Sequence, residues 1–245
     1  LVPVKLLEKS IYFDSDIVSM KDYISDPEKT GIIAEFKRQS PSKGVINDIA
    51  SVADVANAYT QFGAAGISVL TDKTFFGGTL DDLSIAVKNL IPVLRKEFII
   101  DEFQLIEAKA YGASVILLIA ACLTPTETHS LANFAKSLGL EVLLEIHDAT
   151  ELGHISEAVD FVGINNRSLK SFEVNIEHSL ALKHQLPKGI LSVAESGIYS
   201  VDTFKLLKKE GFDGFLMGEY FMKQANPAAA FEAFVRSIKT DNNAI

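Results

Sequence analysis

The chain has 245 residues, 48% of them hydrophobic and 22% charged, with a formal net charge of −9 and a pI near 5.1. That balance excludes a general nucleic-acid or membrane-surface binder, although a local basic cluster would still hold a phosphate or a carboxylate. A single cysteine, Cys122, rules out an intrachain disulfide, and no charge-free apolar run is long enough for a membrane span, so a cytoplasmic enzyme in a reducing compartment is expected.

Residues 1–30 start at Leu1 rather than Met and carry Lys5, Glu8 and Lys9 where a signal peptide needs an apolar run. They are expected to form a short helical extension or cap. From residue 31 onward, β-branched and apolar runs alternate with amphipathic stretches. The expected strands are GIIAEF (31–36), GISVLT (66–71), PVLRKEF (92–98), SVILLIA (114–120), EVLLEI (141–146), FVGIN (161–165), GILSVAE (189–195) and GFLMGEY (214–220). Helical segments such as 51–63, 101–112 and 201–211 lie between them, and Gly63, Gly112, Gly139 and Gly211 stand where left-handed C-caps are wanted.

The strand starts recur roughly every 26 residues, which fits a repeating strand–helix unit with a parallel sheet. Eight such units predict an α/β fold, a (β/α)8 TIM barrel over 31–240, as a single domain preceded by the 1–30 extension. A doubly wound open sheet is the competing architecture, but no G-x-G-x-x-G follows the first strand.

Barrel chemistry sits at the C-terminal ends of the strands, and alternation by two selects the lumen face. That rule points inward with Glu35 and Lys37 on strand one, Lys96 and Phe98 on strand three, Glu145 on strand five, Asn165 on strand six and Glu195 on strand seven. Arg95 and Glu97 fall on the opposite face. Strand ends meet water, so any one of these charges has a bland explanation. Two ammoniums, three carboxylates and an amide on one predicted face instead suit mutual pKa shifting and acid–base work.

Strand seven ends in Glu195-Ser196-Gly197 and strand eight in Leu216-Met217-Gly218-Glu219. Loops after these strands are the usual phosphate site of such barrels, because small residues let backbone N–H groups approach an anion. The glycines would also serve tight turns. His129, His147, His154, His178 and His184 show no metal-ligand spacing, and His147, just past strand five, is expected to cap the next helix rather than act in the mouth. Cys122 has no mouth-facing histidine assigned near it, so a nucleophilic thiol is not expected. Phe75 and Phe76 fit loop anchors as well as an aromatic platform.

The motifs IIAEFKRQSPSKG, SVLTDKTFFGG, LRKEFIIDEFQ, LLEIH, VGINNR, VAESGI and GFLMGE, in order from residue 31 to about 223, resemble those of the indole-3-glycerol-phosphate synthase family. The resemblance implies a lyase of tryptophan biosynthesis with no metal or organic cofactor. The implied substrate is 1-(2-carboxyphenylamino)-1-deoxy-D-ribulose 5-phosphate, closed to indole-3-glycerol phosphate with loss of carbon dioxide and water. Carried over by position, Lys96 resembles the general acid of ring closure, and Glu145 the general base. Lys37 is similar to the residue that meets the substrate carboxylate, with the acid of dehydration left open between the two lysines. The resemblance further implies that Glu35, Asn165 and Glu195 orient these groups. Ser40, Arg167, Ser196, Gly197, Leu216, Gly218 and Glu219 would surround the substrate, and Phe76 and Phe98 would flank its ring.

Gln39 and Gly77 depart from the residues common at their positions, and the segment before strand one is short for the family, as if part of a helix over the mouth were missing. Two rival readings are phosphoribosylanthranilate isomerase, which wants a Cys where Glu35 and Lys37 stand, and a non-catalytic phosphate-binding barrel. A phosphorylated small molecule is the expected partner, and association with other tryptophan-pathway enzymes is compatible with it.

Overall fold

Short runs rich in Ile, Val and Leu give eight parallel strands: β1 (Ile32–Phe36), β2 (Gly66–Leu70), β3 (Val93–Lys96), β4 (Val115–Ile119), β5 (Glu141–Ile146), β6 (Phe161–Asn165), β7 (Leu191–Glu195) and β8 (Gly214–Met217). In this computed structural model, which describes residues 2–168 and 172–240, each strand pairs with its sequence neighbours. β8 returns to β1, and the barrel closes. The expected TIM barrel is therefore observed.

Alternation along each strand sorts the apolar residues into two cores. Ile33, Leu94, Val115, Leu117, Leu143, Phe161, Val193 and Leu216 fill the lumen. Ile32, Ala34, Phe36, Val69, Ile116 and Val142 pack outward against the helices. Burying both faces of the strands is what a parallel barrel demands, and it explains why the runs read as nearly continuous apolar stretches.

The helices begin where their caps say they should. Ser51 accepts the N–H of Asp54 to start α3 (Val52–Gln61). Asp101 with Gln104, and Thr124 with Glu127, form capping boxes for α6 (Glu102–Ala110) and α7 (Pro125–Ser137). These labels count α1 (Val4–Leu7), α2 (Met20–Ser25), α4 (Lys73–Phe76) and α5 (Leu80–Val87) in chain order, followed by α8 (Ile176–Lys183), α9 (Val201–Lys209), α10 (Glu219–Met222) and α11 (Pro227–Thr240). Between β5 and β6 the chain makes only a 3-10 turn over Ala149–His154. No helix among the described residues is long and apolar enough to cross a membrane.

Two strands stop more than one residue short of the C-terminal end that the sequence predicts. β3 stops at Lys96 rather than at 98, because the Gln104 side chain takes the next backbone groups. Its Oε1 accepts from the N–H of Ile100 and Asp101, and its Nε2 donates to the carbonyl of Phe98. β8 stops at Met217 rather than at 220, because the Gly218 carbonyl accepts the N–H groups of Phe221 and Met222 and opens α10.

The segment before β1 lies under the barrel, at the end opposite the mouth. Met20 and Ile24 of α2 join the lumen core. The Glu141 carboxylate at the start of β5 accepts from the Ser19 hydroxyl at 2.7 Å and the Met20 N–H at 2.8 Å.

Candidate active site

At the C-terminal ends of the strands a cavity of about 240 Å³ opens, lined by Glu35, Lys37, Lys96, Glu145, Asn165 and Glu195 among others. The inward face predicted by alternation is the face that lines it. Arg95 turns out into the helix layer, where its guanidinium donates to Glu107 at 2.6 Å and to the carbonyl of Gln104 at 2.8 Å.

Lys96 is the hub. Its Nζ lies 2.8 Å from Glu195 Oε2, 3.4 Å from Glu145 Oε2 and 4.0 Å from Glu35 Oε2. Lys37, just beyond β1, sits 2.7 Å from Glu35 Oε1. Asn165 donates its Nδ2–H to Glu145 Oε1 at 3.0 Å. Strand register produces this convergence: Asn165 pairs with Glu195, and Glu145 with Gly163. A Cβ at position 163 would lie 2.0 Å from Glu195 Oε1, so only glycine there leaves room for that carboxylate.

Burial opposes every charge in this cluster, and the neighbours decide the outcome. Burial pushes Lys96 down, but Glu195, Glu145 and Glu35 outweigh it and hold the ammonium well above its usual range. Burial pushes Glu145 up, while Lys96, His147 and Asn165 bring it well below the ordinary carboxylate range. Glu35 is likewise lowered, against burial, by Lys37 and Lys96. Glu195 goes the other way, up to about 7, because burial and the nearby Glu145 prevail over Lys96. An ionised base and a carboxyl near neutrality thus flank one ammonium.

On the side of β7 and β8, Ser196 and Gly197 both adopt positive φ, at 63° and 75°. Asn166 holds that turn, donating its Nδ2–H to the carbonyls of Glu195 and Ser196. Arg167 donates to Tyr199 Oη at 2.9 Å and to Glu219 Oε2 at 3.1 Å. Gly218, Glu219 and Leu216 line the same wall, with Ser40 across from them on the first loop. Phe98 lies beyond β3 on the rim rather than within the strand, its ring centroid 6.1 Å from that of Phe76 and 5.9 Å from that of Phe75.

The profile of the family described as Indole-3-glycerol phosphate synthase matches residues 2–234. The chain belongs to the indole-3-glycerol phosphate synthase family. A curated family member from Bacteroides thetaiotaomicron is 46% identical over 222 residues, covering 90% of this chain and 85% of that protein. One from Exiguobacterium sp. is 48% identical over 203 residues, covering 82% and 80%. Among solved structures, the 3-hexulose-6-phosphate synthase of Salmonella typhimurium is similar with a TM-score of 0.65 at 13% identity, covering 85% of this chain and 98% of that one. At that identity the likeness is one of fold alone.

Three residues escaped sequence reasoning. His147 does not cap the following 3-10 turn, since Asp148 does. Its Nε2 instead lies 3.2 Å from Glu145 Oε1. The alternation that selected Lys37 past the end of β1 would have selected His147 past the end of β5, had it been carried one residue further. Asn166 reads as outward-facing by the same rule, and Tyr199 sits on a loop with no periodic signal. Cys122 does line the cavity, but burial, Glu145 and Glu151 push its thiol up, away from the thiolate a nucleophile needs. Among the described residues no group of three or more His, Cys, Asp or Glu is arranged to hold a metal ion.

Proposed function

We propose that this mouth closes the indole ring, with Lys96 as the general acid and Glu145 as the general base. The activity is that of the family: a carboxy-lyase step of tryptophan biosynthesis converts 1-(2-carboxyphenylamino)-1-deoxy-D-ribulose 5-phosphate to indole-3-glycerol phosphate, carbon dioxide and water. The single observation that carries the assignment of roles is the Lys96 ammonium, gripped by three carboxylates at the floor of the cavity.

The aromatic carbon bearing the carboxylate attacks the substrate ketone, and Lys96 gives its proton to the ketone oxygen. Carbon dioxide leaves from the same ring carbon, returning its electron pair to the ring. The new hydroxyl then departs as water, protonated by one of the two ammoniums, while Glu145 accepts the proton released in forming the double bond. Lys37 meets the substrate carboxylate. Glu35 and Glu195 set the positions of the two lysines, and Asn165 that of Glu145. The carboxylates around Lys96 keep it protonated in the free enzyme, so the acid is loaded when the substrate arrives.

The phosphate is placed between the turn of Ser196 and Gly197 and the start of α10 at Gly218 and Glu219, with Ser40 and Arg167 closing over the ribulose. Backbone N–H groups and small residues there support it. Phe76 and Phe98 border the anthranilate ring. Residues 31–240 act as the catalytic unit, with 1–30 as an extension. A cytoplasmic setting and association with other enzymes of the pathway belong to the same reading.

The test is direct. Added substrate should give indole absorbance, and Glu145→Gln should cut kcat by roughly 10²–10⁴-fold, the usual worth of an acid–base group. A Glu145→Gln enzyme that keeps most of its kcat places the base elsewhere. Rearrangement of the substrate without release of carbon dioxide or formation of indole favours the rival isomerase.

A further inference from the structure

We propose that His147 is a positioning residue for the reaction: it fixes one oxygen of the Glu145 carboxylate and adds a positive charge beside it. The proposal rests on the reading of Glu145 as the base.

The imidazole is nearly enclosed and lies between two carboxylates. Nε2 is 3.2 Å from Glu145 Oε1, and Nδ1 is 3.6 Å from Glu151 Oε2. The His147 N–H also donates to Glu151 Oε2, so the backbone and the ring are tied to the same carboxylate. Neither ring contact is a well-directed hydrogen bond, so the link is electrostatic. Its consequence for Glu145 is a division of labour between the two oxygens. Oε1 is held by His147 and Asn165, while Oε2 has Lys96 at 3.4 Å as its cation partner and is the one left to take a proton.

The charge count gives the second argument. Among the described residues, Glu35, Glu145, Glu151 and a Glu195 raised toward neutrality have only Lys37 and Lys96 as ammonium partners within 4.0 Å, so the imidazole is the remaining cation beside them. A substrate with a phosphate and a carboxylate would enter that negative field at a cost. Burial pulls the imidazole toward neutrality, but Glu145 and Glu151 outweigh it and raise it to about 10, so the charge is in place at working pH. The other groups facing the pair are Cys122 and Glu195 near Glu145, with Lys96 and Glu35 beyond Oε2. Asp148 and His178 stand beside the imidazole.

Two measurements test the pair. In 15N-histidine NMR of the intact enzyme, the His147 ring should stay doubly protonated to about pH 9, and in Glu145→Gln it should titrate at least one unit lower. In kinetics, His147→Gln should raise KM several-fold, because a positive charge that eases entry of the anionic substrate is lost, and lower kcat roughly tenfold at pH 7, the equivalent of one pKa unit. The ratio of its kcat/KM to the parent's should fall further from pH 8 to pH 5.5, because Glu145 without that neighbour takes up its proton at higher pH. A merely structural histidine would give a ratio flat with pH. That result, or a His147 ring titrating near 6.5 in the parent, overturns the proposal even if Glu145→Gln is inactive. An active Glu145→Gln enzyme with the NMR signature intact instead overturns the base assignment, and the positioning role with it.

Discussion

Lys96 and Arg95 are adjacent cations that composition cannot tell apart, and a single strand bond separates a lumen from a helix layer. Lys96 faces three carboxylates at the mouth, while Arg95 is paired with Glu107 behind the sheet. Lys96→Met should therefore lose kcat by orders of magnitude while folding normally. Lys96→Arg should recover little, because a guanidinium restores charge without a transferable proton. Arg95→Met should leave kcat within a few-fold and lower the thermal midpoint, since it strands Glu107 in a partly buried site. Measuring kcat and midpoint for all three decides the register; a dead Arg95→Met beside an active Lys96→Met would reverse it.

His147 adds a pH prediction at the same scale. Its folded-state pKa is raised to about 10 above the ~6.5 of an unfolded histidine. The stability it contributes is complete below about pH 6.5 and lost as pH climbs toward 10. The midpoint deficit of His147→Gln relative to the parent should thus be larger at pH 6 than at pH 10. An equal deficit at both would mean that the imidazole carries no charge in the fold.

At the scale of elements, the strands and their caps were largely legible. Capping residues such as Ser51, Asp101 and Thr124 sit one residue before their helices, and glycines with positive φ, Gly63 and Gly211 among them, follow α3 and α9. What escaped was competition for backbone groups. Gln104 captures the chain after Lys96 from six or fewer residues away, and nothing in the apolar pattern of residues 92–98 records that. The glycine at the head of α10 shows the same limit. From sequence, Gly218 serves a close approach of phosphate or a tight turn, yet a Cβ there would meet the Cβ and Oε1 of Glu35 at 2.8 Å. Gly218→Val should accordingly lower kcat as well as raise KM, by pushing Glu35 away from Lys37. A raised KM with an unchanged kcat would confine the role of this glycine to the phosphate.

At the scale of the whole molecule, the barrel separates stability from chemistry by its two ends. Met20, 1% exposed, plugs the end opposite the mouth together with Ile24. Met20→Ala should cost roughly 2–5 kcal/mol, the usual range for emptying a core site, and lower the thermal midpoint by several degrees. At 25 °C kcat and KM should stay at parental values. A kinetic defect in the folded variant would show that the extension acts on the mouth as well.

By itself the sequence determined the repeating strand–helix unit, the face of each strand that looks inward, and the set of charged groups at the strand ends, because periods of two and of about 3.6 residues are local properties of the chain. Only the tertiary structure decided which of those groups meet. Closure sets β3 beside carboxylates from β1, β5 and β7, and the absence of a side chain at Gly163 admits Glu195 to the lumen. Whether a carboxylate there is held ionised, like Glu145, or raised toward neutrality, like Glu195, depends on burial and on ångström-scale distances to other charges. Those distances join residues about 50 to 100 positions apart, and no local pattern encodes them.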